Sequence, residues 1–129
     1  YKSIMPQNVE VVSIEHFDKK LDRFYLKADL YVSTSLYEGL PTTMVEAASY
    51  NLPIISSNFR SGCKEILNNG KNGYIFKVKD SVKLAILIEK FFQDKKDFIK
   101  KTKKFKNSLG KFSYKKNIHI FQRLLCKLV

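Results

Sequence analysis

This sequence is short of the residues that build a disulfide frame, a metal centre or a membrane span. It has two cysteines, Cys63 and Cys126, and their separation is not that of a metal site. Two thiols do not make the disulfide framework of a small secreted domain, so reduced thiols in a cytoplasmic protein are the expectation. No apolar run approaches the ~18 residues of a membrane span. No G-x-G-x-x-G is present, which removes the dinucleotide fingerprint. Gly70-Lys71 is not a P-loop, because the upstream glycine and the following Ser/Thr are missing. No Ser-His-Asp set, zinc set or paired-acid glycosidase arrangement stands out.

Acidic residues are scarce in one half only. Residues 1–76 hold eight Lys/Arg and eight Asp/Glu. Residues 77–129 hold sixteen Lys/Arg against four Asp/Glu, so the whole net charge of +12 falls there. Two readings of this charge stand. It is a solvated, lysine-rich helix face, or a field that attracts an anionic membrane, a polyanion or nucleic acid.

What is present suits one α/β domain spanning residues 1–129, with 44% hydrophobic residues to form a core. The chain starts at Tyr1 and passes almost at once into strand-like sequence, which reads as a fragment of a longer protein. Residues 9–14 form a short β-rich run. Leu21, Phe24, Tyr25 and Ala28 recur at helical spacing over 18–28, with Asp18 as N-cap. Residues 30–34 read as a buried strand. A helix starts at Pro41 or Thr42 and ends near Asn51, before Pro53. Strands follow at 53–57 and 74–76, with a short helix at 63–67 and turns at Asn69-Gly70 and Asn72-Gly73 between them.

From Asp80 the pattern is helical. Val82, Ala85, Ile86, Ile88 and Phe92 supply apolar positions on one helix. Phe98, Ile99, Thr102 and Phe105 line a second, which Gly110 is expected to stop. Ser113 reads as the N-cap of a final helix over 113–128, with a stripe of Tyr114, Ile118, Phe121, Leu124, Leu125 and Leu128. Strands alternating with helices predict a parallel sheet, Rossmann-like, with helices on both faces.

The densest chemistry lies between the strand at 30–34 and the helix after it. Glu38 and Glu46 stand eight positions apart, on either side of Gly39 and Pro41. One carboxylate sits in a tight turn and the other inside a helix near its N-terminus. The crevice beyond the strand ends is where open α/β sheets bind ligands. A helix N-terminus there suits an anion such as a diphosphate. A surface turn acid and a solvated helix carboxylate are the plainer readings of the two glutamates.

These residues resemble the nucleotide-binding half of the family 4 (group 1) glycosyltransferases, which have the two-domain GT-B fold. That family has a glutamate, seven residues, then a second glutamate, and Glu38 and Glu46 match it. Tyr25 and Ala28-Asp29 match the text before the strand. Ser35-Leu36-Tyr37-Glu38-Gly39 matches the turn, and Glu46-Ala47 the helix. Leu52-Pro53-Ile54-Ile55-Ser56, Glu65-Ile66-Leu67 and Asn69-Gly70-Lys71-Asn72-Gly73 follow in order, and Phe112-Ser113-Tyr114 resembles the start of the final helix. The resemblance covers about residues 9–125.

It implies one GT-B half-domain, the partial C-terminal donor-binding one. Glu46 would bind the ribose hydroxyls of a sugar nucleotide, and Glu38 would lie near the donor sugar. Gly39, Leu40, Thr42 and Thr43 would frame the phosphate and sugar pocket. The implied enzyme is a retaining glycosyltransferase using a UDP-sugar, with transfer to a glycan or lipid-linked acceptor in polysaccharide or oligosaccharide biosynthesis. No cofactor is expected and no metal at the diphosphate. The acceptor domain and the family's basic diphosphate pair would precede Tyr1, and the fragment alone would be inactive. A cytoplasmic place, peripheral on the membrane face, follows from such acceptors. His16 falls where the family's base sits, although a plain loop histidine is the simpler reading, and His119 reads as an ordinary helix residue. Arg60 either reaches a phosphate or faces solvent.

Two departures stand out. Glu15 replaces a usual glycine, and the family's glycine pair near residues 60–62 reads Arg60-Ser61-Gly62. The alternative is a non-catalytic basic α/β module that binds nucleic acid or another polyanion. The helical spacing of its aromatic residues, which differs from an exposed stacking platform, counts against it.

Overall fold

Tyr31–Ser33 (β1), Ile54–Ser57 (β2) and Tyr74–Phe76 (β3) pair in parallel, in the order β1-β2-β3. The structure, a computed structural model, describes residues 9–12, 21–60, 62–113 and 115–118. Val32 pairs with Ile55 and Ile55 with Tyr74, so the three strands are in register. Parallel neighbours need a crossover. Thr42–Ser49 (α2) supplies the first and Cys63–Ile66 (α3) lies within the second. Asp22–Lys27 (α1) precedes the sheet. Ser81–Gln93 (α4), Lys95–Ser108 (α5) and a 3₁₀ turn, Leu109–Phe112, follow it.

β2 is buried along its length and its side chains alternate between two cores. Ile54 packs with Met44, Ala47, Phe59, Ile66 and Phe105. Ile55, one residue on, packs with Phe76, Leu87, Phe91 and Phe98. Helices therefore cover both faces of the sheet. α5 serves both, through Phe98 at one end and Phe105 at the other. Each large apolar side chain so buried contributes about 1.5–3 kcal/mol.

Local chemistry sets the element ends. Asp80 accepts a hydrogen bond from the Lys83 N–H (2.9 Å) and caps α4. Asp94 ends α4 and caps α5, accepting from the Asp97 N–H (3.4 Å). Asn51 adopts φ +64° just after α2, ahead of Pro53. Gly73 is needed for a close pass, since a Cβ there would lie 3.0 Å from the Ile54 carbonyl oxygen. Tyr74 ties three elements together: its hydroxyl donates to Asp97 of α5 and accepts from the Lys90 ammonium of α4 (2.7 Å).

Several expectations need correction. Of the strand foreseen at 9–14, residues 9–12 form no strand, and 13–14 lie outside the described residues. β-propensity gives a strand only where a partner strand pairs with it. α1 begins at Asp22, with Leu21 at its N-cap; Asp18 lies outside the described residues. β1 is not fully buried. Val32 is 37% exposed, because α4 packs against β3 and leaves that side of β1 open among the described residues. The buried face of α4 is Leu87 and Phe91, with Leu84 and Ile88 beside them. Val82, Ile86 and Phe92 face outward instead. Both sets have helical spacing, and only the sheet's position separates them. On α5, Phe98, Thr102 and Phe105 are buried as expected, but Ile99 is exposed. Gly110 does not stop α5; it lies within the 3₁₀ turn and lacks the positive φ of a left-handed cap. Residues 115–118 are helical and the Asn117 N–H donates to the Ser113 carbonyl (3.0 Å), as a helix starting at Ser113 requires. Tyr114 and residues 119–129 lie outside the described residues.

Candidate functional site

β1 runs into a loop, residues 34–41, that carries Glu38 and delivers the chain to α2. Pro41 occupies the N-cap with φ −75°, close to the value its ring imposes. The first turn closes on the loop: the Thr42 N–H donates to the Leu40 carbonyl (2.8 Å) and the Met44 N–H to the Pro41 carbonyl (3.1 Å). Gly39, Leu40, Thr42 and Thr43 are all exposed on this turn. A Cβ on Gly39 would meet nothing within 4 Å, so packing inside the chain does not demand glycine there. The opposing loop comes close. Gly62 has φ +87°, and a Cβ on it would lie 3.8 Å from the Gly39 carbonyl oxygen and from Pro41 Cδ.

Glu38 is half-buried and held by serines. The Ser35 hydroxyl donates to Glu38 Oε1 at 2.6 Å, and the Ser33 hydroxyl, buried at the end of β1, reaches Ser35 Oγ at 3.4 Å. Glu46 lies on the second turn of α2 with an exposed side chain. The Tyr25 hydroxyl donates to Glu46 Oε2 at 3.1 Å. Tyr31 Oη and Thr43 Oγ1 share a hydrogen bond of 2.8 Å.

Tyr31 links the two acids. Burial pushes its phenol up, its bond to Thr43 pulls it down, and the charges of Glu38 and Glu46 each push it up again. Both carboxylates therefore act on one phenol. Thr43 touches Tyr31 directly, while Glu38 and Glu46, held by Ser35 and Tyr25, act on it through their charge alone. Burial, followed by the bond to Glu46, pushes the Tyr25 phenol far above its ordinary value.

Beside this cluster is a crevice of about 540 Å³ beyond the carboxyl ends of the strands. Leu36, Asn58, Arg60, Lys64, Glu65 and Val78 are among its lining residues, which include neither Glu38 nor Glu46. Arg60 thus opens onto the crevice with Lys64. Lys64 and Asn58 escaped sequence reasoning, because nothing in their spacing marks them. Tyr25, Tyr31, Ser33, Ser35 and Ser57 were also missed as supports for the acids. A run of hydroxyls at a strand end is a faint signal at best. Cys63 is a buried thiol behind the site, with Sγ 3.6 Å from Ser56 Oγ, and burial raises it. His16, His119 and Cys126 lie outside the described residues.

The basic helix divides its lysines. Lys96, Lys100, Lys103 and Lys104 line an open groove of about 410 Å³ around Ile99 and Asn107. Lys101 turns inward, donating to the Gly70 carbonyl (2.7 Å) above the Tyr74 ring. Lys95 lies over the Phe91 ring, 3.9 Å from Asp29. Among the described residues, no helix is long and apolar enough to cross a membrane. Nor does any group of three His, Cys, Asp or Glu there stand ready to hold a metal ion.

Comparison with known proteins extends this picture. The family model of glycosyl transferases group 1 matches residues 5–108. The capsular polysaccharide biosynthesis glycosyltransferase CapM of Staphylococcus aureus is 30% identical over 90 residues, covering 70% of this chain and 23% of its own. The amylovoran biosynthesis glycosyltransferase AmsD of Erwinia amylovora is 34% identical over 71 residues, covering 55% of this chain and 19% of its own. The chain thus spans about a fifth of the length of these relatives. The crystal structure of TarM superposes with a TM-score of 0.73 at 21% identity, over 84% of this chain and 22% of TarM. The architecture is that of a Rossmann-like GT-B half-domain.

Proposed function

The chain belongs to the group 1 glycosyltransferases, and we infer that it holds the nucleoside diphosphate of a sugar donor at the start of α2. Glu46 takes the ribose diol, since a carboxylate accepts hydrogen bonds from both vicinal hydroxyls. Glu38 faces the donor sugar. Gly39, Leu40, Thr42 and Thr43 frame the sugar and phosphates, where the positive end of the α2 dipole favours the diphosphate. Glu38 orients and stabilises instead of acting as a simple base, because the acceptor attacks on the face the leaving group departs from. Positive groups stabilise the departing diphosphate without a metal. Arg60 and Lys64, on the adjacent crevice, are cations of this kind.

The observation that carries this reading is that two carboxylates flank the exposed first turn of α2, Glu38 held by Ser35 at 2.6 Å and Glu46 by Tyr25 at 3.1 Å. The donor is a UDP-sugar, and the reaction retains the anomeric configuration. The acceptor is a glycan or a lipid-linked glycan in polysaccharide biosynthesis, in line with relatives named for amylovoran and capsular polysaccharide. The protein works in the cytoplasm, and the lysine groove of α5 draws it to an anionic membrane face.

Calorimetric titration of the full-length protein with UDP is the test. Glu46→Gln keeps the shape of the side chain and removes its charge. It should lose on the order of 1.5–3 kcal/mol of affinity. Unchanged affinity in a folded Glu46→Gln protein rejects the assignment.

A further inference from the structure

Tyr25 has no direct part in this binding scheme, yet it touches the central carboxylate. It is the buried residue of α1, 8% exposed, while Asp22, Arg23, Leu26 and Lys27 around it are exposed. Its ring stacks on Tyr50, just past the end of α2, with centroids 5.2 Å apart and planes at 24°. Its hydroxyl donates to Glu46 Oε2 at 3.1 Å and lies 3.5 Å from the Thr43 carbonyl oxygen. A stacked, buried ring thus delivers one O–H to an otherwise exposed glutamate.

Packing alone does not ask for that oxygen. Phenylalanine would fill the same space and make the same stack. An exposed glutamate samples many rotamers, and freezing them costs free energy when a ligand binds. A donor that already holds the carboxylate removes part of that cost. It still leaves the carboxylate able to accept further bonds.

We propose that Tyr25 is a positioning residue, whose hydroxyl sets the Glu46 carboxylate in the orientation that receives the ribose diol. This rests on the reading of Glu46 given above. The scheme asks no chemistry of Tyr25 itself, and its phenol stays protonated, and so a donor, because burial and Glu46 both raise it.

The test uses the full-length protein with Tyr25→Phe, Glu46→Gln and the double variant, titrated with UDP and with 2′-deoxy-UDP. Tyr25→Phe should weaken UDP about fivefold, because the bond orders the carboxylate and does not itself touch the nucleotide. The donor KM should rise with little change in kcat, and the melting temperature should hold. Adding Tyr25→Phe to Glu46→Gln should cost little more, since the two act as one unit. Its effect should shrink with 2′-deoxy-UDP, which lacks half of the diol. Equal losses in both backgrounds, or equal losses on both nucleotides, would make Tyr25 merely structural and overturn the proposal. If Glu46→Gln weakens UDP and Tyr25→Phe does not, the proposal fails and the reading of Glu46 stands. If Glu46→Gln itself has no effect, the reading falls and the proposal with it.

Discussion

The Ser57 hydroxyl donates to the Ser35 carbonyl oxygen at 2.6 Å, tying the last residue of β2 to the loop after β1. Ser35 in turn donates its own hydroxyl to Glu38 at 2.6 Å. The half-buried carboxylate on the turn is therefore anchored, through one residue, to the buried strand of the sheet. A rigid element placing a loop residue is the usual way a scaffold fixes a site.

From this anchoring, and with Glu38 facing the donor sugar as proposed, Glu38→Ala should lower turnover far more than UDP affinity. Ser35→Ala should show the same pattern more weakly, having loosened the carboxylate without removing it. Comparing kcat with product-inhibition constants for UDP decides this. Equal loss in both would move Glu38 to the nucleotide subsite.

The outward apolar face of α4 leads to a stability contrast. Leu87 is 4% exposed and Ile86 is 50% exposed, one residue apart on the same helix. Leu87→Ala should cost about 2–5 kcal/mol, and a change at the exposed neighbour about 0.5 kcal/mol or less. Urea unfolding of both variants measures the difference. Similar losses would mean that the two residues are buried alike.

Alkaline pH should destabilise the protein through its tyrosines. Burial raises Tyr25, Tyr31 and Tyr74, while a hydrogen bond with Asp22 comes first for Tyr50. A phenol raised in the folded state keeps its proton longer than in the unfolded chain. Its contribution is complete below the unfolded value of about 10 and is lost as pH rises through the folded value. Melting temperature should fall steeply above pH ~10. Tyr25→Phe should flatten part of that fall.

The lysine groove on α5 should bind anionic vesicles. Lys96, Lys100, Lys103 and Lys104 line it, and each lysine near the surface adds about 1 kcal/mol. Co-sedimentation of the full-length protein should rise with anionic lipid and vanish at high salt. Replacing these four with glutamine should abolish it. Lys101→Gln should also disturb folding, since Lys101 holds the Gly70 carbonyl. Equal binding to neutral vesicles would refute an electrostatic origin.

The sequence by itself determined the parallel order of elements. Proline at 41 and 53, the aspartate at 80 and the strand runs at 53–57 and 74–76 act locally, and each ended or began an element close to where it was expected. It also determined the pair Glu38 and Glu46, because their spacing is written in the chain. It could not choose the buried face of α4, where two apolar stripes compete and only the position of the sheet decides. It could not show which lysines of α5 turn inward, since Lys101 is singled out only by a carbonyl 31 positions away. The supports of the two acids were hidden for the same reason. Tyr25 lies 21 positions from Glu46, and Ser57 lies 22 from Ser35. A hydrogen bond acts over about 3 Å in space, so contacts between residues so far apart in the chain exist only once the crossover helix has folded the chain back on the sheet.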